Sequence, residues 1–290
     1  MDQAEKLRAL IGKHNTPKPI ANTNLRVIAV TSGKGGVGKT NLSVNLAINL
    51  ARANKRVIII DADLGLANVE LLLGVSPKYS FKDIISGSVS VADALTVGPE
   101  GIRFLSGGSG LTQLANITEA QMGILISGFN QLEGMADILL IDTGAGISKS
   151  VTNFLKASHE AIIVTTSDPT SVTDAYAIIK VMAEGGATPP KLQMIVNRVE
   201  NSKEGEEAFI RLNRVCVRFL NVKLNNLGSV PYDKHLVRAV KSQEPVTMLY
   251  PNSESSRSIA AISKRLLNEP AVENAGFKQF LVRLVGFMKN

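Results

Sequence analysis

The 290-residue sequence predicts an α/β fold, a doubly wound, mostly parallel sheet with helices on both faces. Three observations carry this. Apolar runs without alternation, such as Val57-Ile58-Ile59-Ile60 and Ile138-Leu139-Leu140-Ile141, read as strands buried on both faces. Amphipathic runs lie between them, as crossover helices do. The stretch Gly33-Lys34-Gly35-Gly36-Val37-Gly38-Lys39-Thr40 separates the first strand from the first helix, the setting of a phosphate-binding P-loop.

That loop has a direct physical reading. Glycines let the backbone curl so that successive N–H groups converge on one anion, and the helix N-terminus adds partial positive charge. Lys39 would reach the terminal phosphates and Thr40 would offer its hydroxyl to Mg²⁺. The nucleotide-contacting stretch thus runs from Gly33 through Asn41, the residue that opens the helical run to Ala53. Lys34 is a second lysine that the general loop pattern does not require.

Before the loop, Asp2 to Lys13 reads as a short helix with Asp2 as N-cap and Ala4, Leu7, Leu10 and Ile11 on one stripe. His14 to Asn24, with Pro17 and Pro19, is a linker. The stripe either packs back on the domain or docks on another protein. Strands are expected at Leu25–Thr31, Arg56–Asp61, Ile102–Leu105, Asp137–Asp142, Glu160–Thr165, Lys191–Asn197 and Asn226–Val230. Helices are expected near Asn41–Ala53, Glu119–Leu132, Ser171–Glu184, Lys203–Leu220 and Ser255–Leu267. The organisation is one domain, 25–270, flanked by a helix and linker, 1–24, and a terminal amphipathic helix, 271–290.

In that last segment Phe277, Phe280, Leu281, Leu284, Val285 and Met288 follow the spacing of one broad apolar helical face, with Lys278, Arg283 and Lys289 off it. Such a helix either packs on the domain or lies in the plane of an anionic membrane surface. No apolar run approaches the ~20 residues of a membrane span. The first twenty residues are polar and carry two prolines, unlike a secretory signal. The single cysteine, Cys216, leaves no intrachain disulfide framework and no Cys-rich metal set. The expected location is cytoplasmic. The formal charge of +7 suits an anionic partner without choosing one.

Two strand ends carry further chemistry. Asp61 and Asp63 close Ile58-Ile59-Ile60-Asp61-Ala62-Asp63, and Asp142 closes the run from Ile138. Carboxylates at strand C-termini line the ligand crevice of open α/β sheets. An apolar strand ending in aspartate is the Walker B pattern, in which the carboxylate holds Mg²⁺, usually through water.

With Lys34 inside the loop, the sequence resembles the deviant Walker A ATPases, the family of MinD, ParA and the nitrogenase iron protein. The resemblance implies an ATP-dependent homodimer in which Lys34 reaches the partner's nucleotide, Asp63 orients the attacking water, and Asp61, Thr40 and Asp142 complete the metal shell. It implies ATP and Mg²⁺ as cofactors, with Lys34 and Lys39 as cationic donors for the charge that develops in hydrolysis. It places the adenine against Asn197, Arg198, Pro231 and Asp233. An electron-transfer role like the iron protein's is excluded by the lone cysteine, since a shared cluster needs two per subunit.

Within the family, the phrases from Asp61 to Glu70 and from Ile141 to Ser148 resemble the flagellar-number regulators of the FlhG group, also called FleN or YlxH. The N-terminal Asp2-Gln3-Ala4-Glu5-Lys6-Leu7-Arg8 is similar to their activator helix. That likeness implies Gln3, Leu7 and Arg8 as contacts to the GTPase FlhF, with flagellar C-ring switch proteins as further partners. It implies reversible attachment to the inner face of the cell membrane. Two alternatives stand beside it, a MinD-type division-site regulator and a ParA-like DNA-partitioning ATPase. Nucleic acid is the less expected partner, because a basic surface patch is not legible in sequence.

Overall fold

The computed structural model describes residues 25–63, 68–107, 118–184, 190–270, 280, 283, 284 and 286. An eight-stranded sheet spans the domain: β1 (Arg26–Ser32), β2 (Val57–Ala62), β3 (Thr96–Val97), β4 (Arg103–Ser106), β5 (Ile138–Ala145), β6 (Glu160–Thr165), β7 (Lys191–Val199) and β8 (Asn225–Pro231). Their order is β3-β4-β2-β5-β1-β6-β7-β8. All neighbours pair in parallel except β3, which runs antiparallel to β4 at the edge. The expected seven strands are all present, and the two-residue β3 is additional.

The helices are α1 (Lys39–Arg52), α2 (Asn68–Leu73), α3 (Phe81–Ile85), α4 (Val91–Ala94), α5 (Glu119–Asn130), α6 (Leu132–Met135), α7 (Lys149–Ala157), α8 (Pro169–Glu184), α9 (Ser202–Leu220), α10 (Lys234–Lys241), α11 (Val246–Leu249) and α12 (Glu254–Asn268). The five expected from periodicity are α1, α5, α8, α9 and α12. α7 supplies the crossover from β5 to β6 that the sequence pattern left unfilled. After Lys149, the residues Ser150-Val151-Thr152-Asn153 are weak helix formers. Burial of Val151, Phe154 and Leu155, and a Ser148 hydroxyl that caps the Val151 amide, override that propensity.

Burial on both faces follows from the unbroken apolar runs. Within β2, Ile59 joins the core beneath α1 and α12, while its neighbours Ile58 and Ile60 join the core on the other face with Phe81, Phe104's neighbour Leu105, and Phe129. Phe280 and Leu284 belong to that second core. No described helix is long and apolar enough to cross a membrane.

The registers decide what meets at the carboxyl edge of the sheet. Val30 lies opposite Asp142 across β1 and β5, and Asp61 lies opposite Asp142 across β2 and β5. The phosphate loop leaves β1, so the loop and both carboxylates emerge side by side.

Candidate nucleotide and metal site

The loop is held in shape from two sides. Gly38 takes φ 92°, left-handed backbone that glycine adopts without strain, and from there α1 begins with Lys39. Asn197, at the end of β7, donates from Nδ2 to the Val37 carbonyl at 2.7 Å. The same amide nitrogen sits 2.4 Å from where a Cβ on Gly38 would be. On the other side, a Cβ on Gly33 would fall 2.3 Å from the main-chain carbon of Asp174 in α8. Lys34, Gly35 and Gly36 are exposed at the tip.

Lys39 is 7% exposed, and its Nζ lies 3.3 Å from Asp142 Oδ1. The Ser43 hydroxyl donates to the same oxygen at 2.8 Å. Asp142 Oδ2 is buried without a hydrogen-bond partner. Burial pushes the Asp142 carboxyl above the ordinary range, and the Lys39 ammonium with the Thr40 and Ser43 hydroxyls pulls it part of the way back. Asp61 is pushed up to about 7 by burial, with further upward pressure from Asp142 and Asp63. The Val69 and Asp63 amides, at 3.1 and 3.2 Å, oppose that rise. Asp63 is partly exposed, lies within 3.5 Å of the Asn68 amide nitrogen, and faces Gly144 of β5.

These groups fit Mg²⁺. An orphaned buried carboxylate oxygen beside a hydroxyl and a second carboxylate is a hard oxygen donor set. Among the described residues no three or more His, Cys, Asp or Glu converge to hold an ion by themselves. Mg²⁺ suits that sparseness, because it keeps waters and takes the remaining oxygens from phosphate. When bound it neutralises charge on the β- and γ-phosphate oxygens.

The four residues read as adenine contacts divide. Arg198 is exposed and held at φ 58°, an uncommon conformation for a non-glycine residue at a strand end. Pro231 ends β8 in partial exposure. Asn197 gives one amide hydrogen to the loop, which makes it a brace for the phosphate site. Asp233, read in the sequence as an adenine contact, is held here by groups of the chain itself. Its carboxylate accepts from the His235 amide at 2.8 Å, His235 Nδ1 at 3.0 Å, the Ser255 amide at 3.0 Å and the Ser255 hydroxyl at 2.8 Å. It caps α10 and ties that helix to the start of α12, so its oxygens are committed to the chain itself.

The remaining expectations fall elsewhere. Gln3, Leu7 and Arg8 lie outside the described residues, as do Phe277, Leu281, Val285 and Met288. Phe280 and Leu284 are packed in the domain core at 2% and 7% exposure, not displayed to a bilayer. The other side of the earlier alternative, packing on the domain, is the state this structure holds for those two. Ser43 is the site residue that sequence reasoning missed; its only sequence signal is a position one helical turn after Lys39.

A strand, a glycine loop gripping α1, and two carboxylates on adjacent parallel strands define a P-loop nucleotide-binding domain. The family model described as CobQ/CobB/MinD/ParA nucleotide binding domain matches residues 28–246, and the chain belongs to that family. It is 41% identical over 90% of its length to the antiactivator FleN of Pseudomonas aeruginosa, covering 94% of that protein. It is 33% identical to the flagellum site-determining protein YlxH of Helicobacter pylori, over 99% of both chains. Among solved structures, MinD of Pyrococcus horikoshii complexed with Mg-ADP is 25% identical with a TM-score of 0.67, covering 88% of this chain and 98% of that one.

Proposed function

We propose that this chain is a Mg²⁺-dependent ATPase that dimerises on ATP, associates reversibly with the membrane and regulates flagellar number and placement. The observation that supports this reading best is coverage. The YlxH relative aligns over 99% of this chain, both ends included, whereas the MinD of Bacillus subtilis aligns over 83%. The flagellar reading accounts for the N-terminal segment; the division-site and DNA-partitioning readings leave it without a task.

In the proposed cycle Lys39 leaves Asp142 for the β- and γ-phosphates, and the loop amides hold the phosphate oxygens. Asp142, Asp61 and Thr40 are the residues that would hold Mg²⁺. Asp63 orients water, and the exposed Lys34 reaches the nucleotide of a second copy, so turnover depends on the dimer. Membrane association requires that the tails leave the core in which Phe280 and Leu284 pack; two released tails held by one dimer then gain affinity through effective concentration, by about 10²–10⁴-fold. The N-terminal segment carrying Gln3, Leu7 and Arg8 stimulates FlhF, and C-ring switch proteins receive the dimer.

The test is size-exclusion chromatography with ATP, followed by vesicle co-sedimentation and FlhF turnover. Asp63→Ala should accumulate as a membrane-bound dimer, Lys34→Ala should bind ATP yet stay monomeric, and Gln3→Ala should dimerise without raising FlhF turnover. A Lys34→Ala variant that dimerises and hydrolyses normally would overturn the shared-site half. Full FlhF stimulation by Gln3→Ala would overturn the partner half.

A further inference from the structure

We propose that Ser43 is the positioning residue for Asp142, setting which carboxylate oxygen is presented to the metal. Ser43 is completely buried in α1, one turn beyond Lys39. Its Oγ stands 2.8 Å from Asp142 Oδ1 and 3.2 Å from the Lys39 carbonyl oxygen. A hydroxyl has one proton, and an ionised carboxylate only accepts, so the shorter, charge-assisted contact takes it. Oδ1 therefore receives both Ser43 and Lys39, and Oδ2 receives neither.

The two donors differ in permanence. Lys39 is the group that a triphosphate recruits. Ser43 is held by the helix and completely buried, so it remains on Oδ1 after Lys39 has gone. Without it, once Lys39 has gone, the Thr40 hydroxyl is the remaining side-chain donor acting on Asp142, and rotation about the soft terminal torsion of the aspartate is less restrained. Removal of such an outer partner commonly weakens metal affinity by about 10–100-fold.

This inference rests on the reading of Asp142 as the Mg²⁺ carboxylate, and the experiment separates the two. A fluorescent ATP analogue is bound to the full chain in EDTA and then across a Mg²⁺ titration, for wild type, Ser43→Ala, Ser43→Cys and Asp142→Asn. Ser43→Ala should raise the Mg²⁺ midpoint about tenfold and leave the EDTA affinity unchanged. Ser43→Cys, similar in size with a weaker donor, should fall between it and wild type, which also covers the case in which alanine impairs folding. A shifted midpoint in Asp142→Asn with wild-type midpoints in both Ser43 variants overturns the inference alone. An equal loss with and without Mg²⁺ in the Ser43 variants overturns it as well, by showing general damage. An unmoved midpoint in Asp142→Asn overturns the metal reading and the inference with it.

Discussion

The side-chain amide of Asn197 donates at 2.7 Å to the main-chain carbonyl of Val37, across 160 positions of sequence. One bond thus joins the end of β7 to the middle of the glycine loop. Asn197→Ala leaves the buried Val37 carbonyl without its partner. The expected cost is about 1–3 kcal/mol in urea unfolding, together with a loss of ATP affinity by calorimetry. Wild-type affinity in that variant would separate the loop's shape from Asn197.

Asp61 gives the nucleotide- and metal-free protein a pH slope. Its carboxyl titrates at about 7 in the fold, against about 3.9 when unfolded. The folded state binds the proton more tightly, so this contribution to stability is complete below about pH 4 and is lost as pH rises through about 7. The melting temperature of the metal-free protein should fall between pH 5 and pH 8, and Asp61→Asn should flatten that fall. An equally steep profile in Asp61→Asn would assign the slope to another group.

Asp233 works with the opposite sign. Burial alone would raise it, but hydrogen bonds from Ser255 and His235 outweigh that and hold the carboxyl far below the ordinary range. Its contribution is present above about pH 4 and lost only in stronger acid. Asp233→Ala should destabilise the domain by about 1–2 kcal/mol through the lost α10 cap, measured by urea unfolding at pH 7. Selectivity for adenine over guanine nucleotides should not change.

Phe280 is part of the domain. Truncating a buried phenylalanine to alanine costs about 3–5 kcal/mol, so Phe280→Ala should lower the urea midpoint of the whole domain. An unchanged midpoint would show that the tail makes no lasting contribution to the core.

Much of this was legible in the chain because the signals are local. An unbroken run such as Ile58-Ile59-Ile60 can be recognised without knowing its neighbours, and eight contiguous residues state the phosphate loop. What escaped depends on distant partners. Asn197 and Val37, Asp233 and Ser255, and Ser43 and Asp142 are each brought together by the tertiary fold, and no spacing announces them. α7 escaped for the converse reason: its local propensity speaks against a helix, and burial of Phe154 and Leu155 decides the matter. The tail's periodicity was visible, but a stripe of Phe280 and Leu284 fits a core and a bilayer equally well.

The close approach of Gly33 to Asp174 has a mechanical side. With no room for a methyl between them, the first glycine is demanded by its neighbouring helix as much as by any anion. The loop cannot advance toward α8 without shoving it, and α8 leans in turn on α9. An alanine at Gly33 would therefore force the loop and α8 apart, so this position is closed to every side chain for the sake of a helix that binds no phosphate.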